Sequence, residues 1–182
     1  MGLKIDWVRG FVTVIPPASR EVVAEKALAA AGDYAIEDVL SESATDGVGT
    51  PFVFRQVTRQ RGGAFSIRKV IALLTTTALA PRITLHLFNK PPTSELDDNA
   101  ANTAVITADR ETYVGRVELP AMSDLGGNSE AIATPDTGSN LPLDGVCASG
   151  DDALYGIAVT EDAIAGEAAG MRLMFKLLVR QE

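Results

Sequence analysis

The chain has 182 residues, 46% hydrophobic and 22% charged, with 16 Gly and 9 Pro; this composition excludes a disordered tail and predicts one globular domain rich in turns. A net charge of −8 excludes a general nucleic-acid binder, whose phosphate affinity needs clustered Lys and Arg. One Cys and one His cannot build an internal disulfide or the usual zinc, haem or iron–sulfur cages, and no apolar run approaches the roughly 20 residues of a membrane span.

The N-terminal stretch Met1 to Trp7 has no apolar signal-peptide core, so a soluble protein made in the cytosol is expected. Lys4 to Ile15 reads as a strand ended by Pro16-Pro17, which makes residues 1–17 an arm or first strand and 18–182 a single domain. Ser19 to Ala31 is ambiguous. Its alanines favour a helix, yet in a chain of short strands tertiary pairing overrides propensity, so a strand is expected. Tyr34 to Leu40 follows Gly32-Asp33 as a strand after a turn.

Pro51 to Arg59 and Phe65 to Thr77 flank Gly62-Gly63 and predict a β-hairpin. Arg82 to Asn89 sends Ile83, Leu85 and Leu87 to one face and Thr84, His86 and Phe88 to the other. Tyr113 to Leu119, Leu143 to Ser149 and Leu154 to Thr160 are three further short strands between turns. At the C-terminal end Met171, Leu173, Phe175, Leu177 and Val179 alternate with Arg172, Lys176 and Arg180, the mark of a half-buried strand. Many short strands with two long polar loops, Asn89 to Asn102 and Ser123 to Asn140, predict an all-β, antiparallel two-sheet β-sandwich of jelly-roll type.

Charge is distributed unevenly. Residues 47–94 hold no acid and seven bases (Arg55, Arg59, Arg61, Arg68, Lys69, Arg82 and Lys90), while residues 95–170 hold fifteen acids and two bases. Either strands from the two segments neutralise each other, or a basic stripe from Arg55 through Arg59, Arg61 and Arg68 to Lys69 docks on an acidic partner.

Catalytic constellations are scarce. His86 lies in mid-strand without a nucleophile beside it, and Cys147 has no Cys-x-x-Cys partner and reads as a small hydrophobe. Asp97-Asp98, Asp109, Glu111 and Asp151-Asp152 supply carboxylates for a hydrolase, but acids in loops are usually solvated. Glu95 to Asn99 offers calcium ligands without the spacing of an EF-hand. Gly47-Val48-Gly49-Thr50 and Gly126-Gly127-Asn128 lack the Lys-Ser/Thr of a phosphate loop and read as turns. A binding or structural role without enzyme activity, metal or cofactor is expected by elimination.

Three stretches resemble a known group when taken together: Tyr34-Ala35-Ile36-Glu37-Asp38-Val39-Leu40, Ile83 to Ser94 (ITLHLFNKPPTS) and Tyr113-Val114-Gly115-Arg116-Val117. In that order they resemble small virion proteins of tailed bacteriophages, of the head-decoration or capsid cement family. The second stretch, with the acidic loop of Asp97, Asp98 and Asn99 after it, is the most specific; Ser19 to Ala31 departs by its alanine and charge. The resemblance implies a β-sandwich on the outside of an icosahedral shell, commonly a homotrimer, assembled in the host cytoplasm, with the major capsid protein and itself as partners. Trp7 and Phe11 of the N-terminal segment would then anchor on the shell or a neighbouring subunit, and the Arg55 to Lys69 stripe would meet acidic capsid surface. The alternative is a carbohydrate- or receptor-binding sandwich of a phage tail or fibre, with the loops Asn89 to Asn102 and Ser123 to Asn140 as its recognition surface.

Overall fold

The computed structural model describes residues 2–6, 11–15, 18–29, 32–76, 79–166 and 170–182, the first two stretches as backbone only. Twelve strands run through these residues. They are β1 (Gly2–Asp6), β2 (Phe11–Ile15), β3 (Ala18–Ala27), β4 (Phe52–Phe54), β5 (Ala64–Leu74) and β6 (Ile83–Phe88). After them come β7 (Tyr113–Leu119), β8 (Ser123–Asp124), β9 (Ser129–Ala133), β10 (Leu143–Val146), β11 (Leu154–Thr160) and β12 (Arg172–Gln181).

The chain is an all-β sandwich of two antiparallel sheets. The larger has six strands in the order β3-β12-β5-β9-β8, with β10 also paired to β5; the smaller has four in the order β4-β11-β6-β7. Ala18–Ala27 pairs with β12 residue for residue from Ala18 opposite Gln181 to Ala27 opposite Arg172, so tertiary pairing does override its alanine-rich helix propensity. Val22, Ala24 and Leu28 point inward from this stretch, and so does Lys26.

The phase of β5 has to change along its length. Phe65 and Ile67 face the core, and so do Val70, Ala72 and Leu74, two sets that no unbroken period of two joins. Arg68 resolves the conflict: the register with β12 slips between Leu178 opposite Lys69 and Val179 opposite Ile67, leaving Arg68 as the extra residue of a β-bulge. β12 itself keeps strict alternation, with Leu173, Phe175, Leu177 and Val179 all fully buried, as the sequence predicts.

The core between the sheets joins these residues to Phe52, Phe54, Leu85, Leu87, Val117 and Leu154 of the smaller sheet. Phe52 meets Phe175 edge to face across the layers, with ring centroids 5.1 Å apart.

Four expectations are corrected. Lys4 to Ile15 is not one strand: β1 and β2 form an antiparallel pair, Gly2 opposite Ile15 and Asp6 opposite Phe11. The segments around Phe52 and Phe65 do not make a hairpin, because β4 pairs with β11 in the smaller sheet and β5 lies in the larger; the turn between them carries the chain from one layer to the other. Ser123 to Asn140 is not all loop, since β9 adds to the larger sheet against Val70 to Leu74. Tyr34 to Leu40 makes isolated bridges, Tyr34 to Ile164 and Val39 to Val159, rather than a continuous strand.

Candidate functional site

Both faces of the smaller sheet are covered. The alternation of β6 runs as predicted, with Ile83, Leu85 and Leu87 in the main core, yet Thr84, His86 and Phe88 on the opposite face are buried as well. The cover is residues 89–112, which fold back over that outer face. Phe88, Ile157, Val159 and Val39 form a second small core there, with Leu96, Val105 and Tyr113 packed against it.

Three buried carboxylates organise the cover, Asp97 and Asp98 by tying it to residues 34–49 and Asp109 by tying it to itself, and none of them is solvated as acids in loops were expected to be. Asp97 accepts the backbone N–H groups of Gly47 (2.7 Å), Val48 (3.1 Å) and Gly49 (2.7 Å). The glycine turn is thus an anion-binding nest filled by the chain's own side chain. Hydrogen bonds from Gly49 and Gly47 hold the Asp97 carboxyl below the usual range. Asp98 accepts from the Tyr34 hydroxyl (2.9 Å) and the Ser41 N–H (2.7 Å). Asp109 accepts from Thr93 and Ser94, through both backbone N–H and both hydroxyls. Burial works to raise the Asp109 pKa, and the hydrogen bonds led by the Ser94 hydroxyl outweigh it and lower it. The carboxylate oxygens of Asp97, Asp98 and Asp109, weighed above as candidates for calcium or hydrolysis, are engaged in holding the loop, and no group of three or more metal-ligating side chains occurs among the described residues.

Where the cover stops, a groove of about 470 Å³ opens on the same face. Asn102, at the end of one long loop, and Thr137 and Gly138 from the other line it, with Ala104 beside them. The two loops expected to act in recognition thus converge on one place. Thr84 and His86 line the floor, with Val159 and Glu118 beside Thr84 and with Arg116 beside His86.

Both arginines at the groove are already paired. Arg82 grips Asp162 with two guanidinium nitrogens, at 2.6 and 3.1 Å, and Arg116 donates to Glu118 at 2.9 Å. Burial, with Arg116 adding to it, pushes the His86 imidazole below its usual pKa, so the ring is neutral at pH 7. Tyr113 Oη stands 3.5 Å from His86 Nδ1, the outer limit of a hydrogen bond. The sequence showed Thr84 and His86 on a common face. It did not show that face roofed, because the roofing segment has no strand periodicity.

The basic stripe is divided by the fold. Arg55 follows β4, and Arg59 and Arg61 are exposed on the crossover to β5. Arg68 and Lys69 lie at the bulge on the outer side of the larger sheet, where Arg68 shares a shallow groove with Arg180, Asp144 and Glu182. Among the described residues none of these five makes a salt bridge; of the seven bases in residues 47–94, only Arg82 pairs with an acid from the following segment. Phe11 opens β2 opposite Asp6, and Trp7 lies outside the described residues.

The outer side of the larger sheet carries an apolar ladder that the sequence reading missed. Val23, Lys176, Ile71 and Ile132 lie opposite one another across four strands, and Met174 with Leu73 forms the next rung. Val23 is 50% exposed and Ile132 38%. Lys176, within the first rung, pairs with Glu21, and Glu25, opposite Met174 in the second, pairs with Arg172.

Cys147 is buried, its N–H donating to the Gly63 carbonyl, and burial pushes its thiol up. No helix among the described residues is long and apolar enough to cross a membrane. No protein-family model and no curated protein matches the chain.

Proposed function

We propose that the chain is a non-enzymatic virion protein that decorates and stabilises the outside of an icosahedral phage capsid, as a homotrimer assembled in the host cytoplasm. The observation that carries this reading is the ladder of Val23, Ile71, Leu73, Ile132 and Met174 on the outer sheet face, with the Arg172–Glu25 and Lys176–Glu21 ion pairs among and beside them. Apolar side chains grouped on an outer sheet face, with Val23 and Ile132 exposed, Ile71, Leu73 and Met174 half-buried and Lys176 among them, suit a docking surface of mixed apolar and charged character. The major capsid protein or a second copy of the chain is the partner of that surface.

Strand order supports reading the sandwich as a jelly roll: β3-β12-β5-β9 faces β4-β11-β6-β7, so β3 through β6 alternate between layers and the first and last strands of the body pair. That architecture serves viral capsids and lectins alike, which makes it support by analogy. β1 and β2 pair only with each other among the described residues, and a lone two-stranded hairpin is marginal in water. It suits an arm that gains partners on a shell or a neighbouring subunit. A cement protein acts by linkage, stabilising the expanded shell because it binds that state alone, and a trimer multiplies weak contacts through effective concentration.

The test is light scattering on the purified chain, then co-sedimentation with expanded capsids stripped of accessory proteins. A particle with the mass of three 19.1 kDa chains that binds the shells and raises their melting temperature is the expected result. Ile71→Asp and Ile132→Asp, on the outer face, should fold and fail to bind. A monomer that ignores the shells overturns the reading.

A further inference from the structure

Thr84 and His86 are 4% and 8% exposed, and both line the groove floor. Among the described residues the Thr84 hydroxyl has no hydrogen-bond partner, and His86 Nε2 has none. A buried polar group left without a partner is a net cost to the fold. Two of them side by side on one strand, under an opening of about 470 Å³, form a floor completed by whatever occupies the groove. Apolar replacements would have spared the fold that cost.

The walls restrict what the occupant is. Arg82 and Arg116 are each neutralised by a carboxylate, so neither is free to hold an anion. Glu37 and Glu161 add two more negative charges to the lining, which repels phosphates and carboxylates. The imidazole at the floor is neutral. What remains is a dense alternation of donors and acceptors: guanidinium N–H, carboxylate oxygen, the Asn102 amide, a hydroxyl and a ring nitrogen. A group that both donates and accepts at every position answers that alternation, and hydroxyls do so. Pro120, exposed in the lining, supplies a small apolar surface against which the C–H face of a sugar ring can lie. The volume lies within the range of small-molecule sites.

We propose that the groove over Thr84 and His86, between the loop ends at Asn102 and Gly138, is a binding site for one or two units of a neutral saccharide. This goes beyond a role on a capsid shell and does not depend on it, since the groove opens on the smaller sheet and the apolar ladder lies on the larger.

His86 is the chain's single histidine, so its imidazole resonances report on the groove without ambiguity. The experiment is an NMR titration of the full chain with glucose, galactose, mannose, N-acetylglucosamine and their disaccharides, beside inorganic phosphate and spermidine. A saturable shift of the His86 signals with at least one neutral sugar, in the millimolar range or tighter, is expected, and none with phosphate or spermidine. Thr84→Val keeps the shape and removes the hydroxyl; it should fold at least as stably as the parent and bind the sugar about tenfold more weakly. Arg116→Gln, at an exposed wall position, should weaken binding as well while leaving the melt in place. Absence of any saturable shift across the sugars overturns the proposal. So does a shift with phosphate or spermidine in place of sugar, or unchanged affinity in both variants.

Discussion

Phe52 on the smaller sheet and Phe175 on the larger meet edge to face at 5.1 Å, with their planes 86° apart, so one aromatic contact ties the two layers at the position where β4 and β12 face each other. Phe175 is fully buried and Phe52 nearly so. Phe175→Ala should lower unfolding free energy by about 3–5 kcal/mol, and Phe175→Asp should prevent folding by burying an unpaired charge. Lys176→Asp, one residue along and outward-facing, should cost less than about 1 kcal/mol. Urea denaturation separates the three, and equal tolerance at both positions would refute the assigned phase of β12.

Asp98 is the central pin of the cover over the smaller sheet. Asp98→Ala removes the acceptor shared by the Ser41 N–H and the Tyr34 hydroxyl, and should cost about 1–3 kcal/mol. Tyr34→Phe removes one donor cleanly and should cost about 1 kcal/mol. Thermal melts of the two single variants and the double variant should show strong coupling; additive losses would mean that the two groups do not act together.

Lys26 reaches inward from edge strand β3 to Glu42, Ser41 and Thr50, and its ammonium lies 5.0 Å from the centre of the Phe52 ring. Desolvation pulls the two groups' pKa values in opposite senses, lowering Lys26 and working to raise Glu42. Hydrogen bonds from Lys26, Thr50 and Ser41 outweigh it at the carboxylate and hold Glu42 at about 2, against an ordinary 4.5. A depressed acid stabilises fully above its unfolded pKa, so the contribution is intact above pH 4.5 and is lost as pH falls toward 2. Glu42→Gln should flatten the acid limb of stability between those two pH values. An unchanged limb in urea midpoints measured across that range would contradict the assignment.

Gly49 has no room for a side chain. A Cβ built there would stand 2.0 Å from the Leu96 carbonyl oxygen, and backbone cannot swing aside as a flexible side chain does. Gly49→Ala should therefore cost about 1–3 kcal/mol and disturb the nest around Asp97. Gly127→Ala, with nothing within 4 Å, should stay within about 0.5 kcal/mol of the parent. Paired calorimetry on the two variants checks the contrast.

Period-two alternation carried most of the fold. β6, β7, β11 and β12 were legible because each buries one face against the main core, and sequence records that as a row of apolar residues. β3 was legible only through context, since Ala24, Lys26 and Ala27 carry no strand signature and the register with β12 decides. β9 was hidden because Ser129-Glu130-Ala131-Ile132-Ala133 packs small residues on its inner face and looks polar. The candidate site was harder still. Asp97, Asp98 and Asp109 read as solvated acids because their donors come from Tyr34, Ser41, Gly47 and Gly49, or from backbone in a segment without periodicity. Thr84 and His86 could be placed on a common face but not under a cover, because their burial is the work of a loop, and loops leave no hydrophobic period behind.

The place of β12 between β3 and β5 has a consequence for how the molecule comes into being. It is synthesised after both β3 and β5, yet both need it: neither has any other partner among the described residues along most of the edge that β12 fills. Until it emerges, the apolar inner faces of both strands have a gap where the sheet's centre belongs. The larger layer thus closes in one late, long-range step, which slows folding and leaves unfinished chains exposed to aggregation on the ribosome.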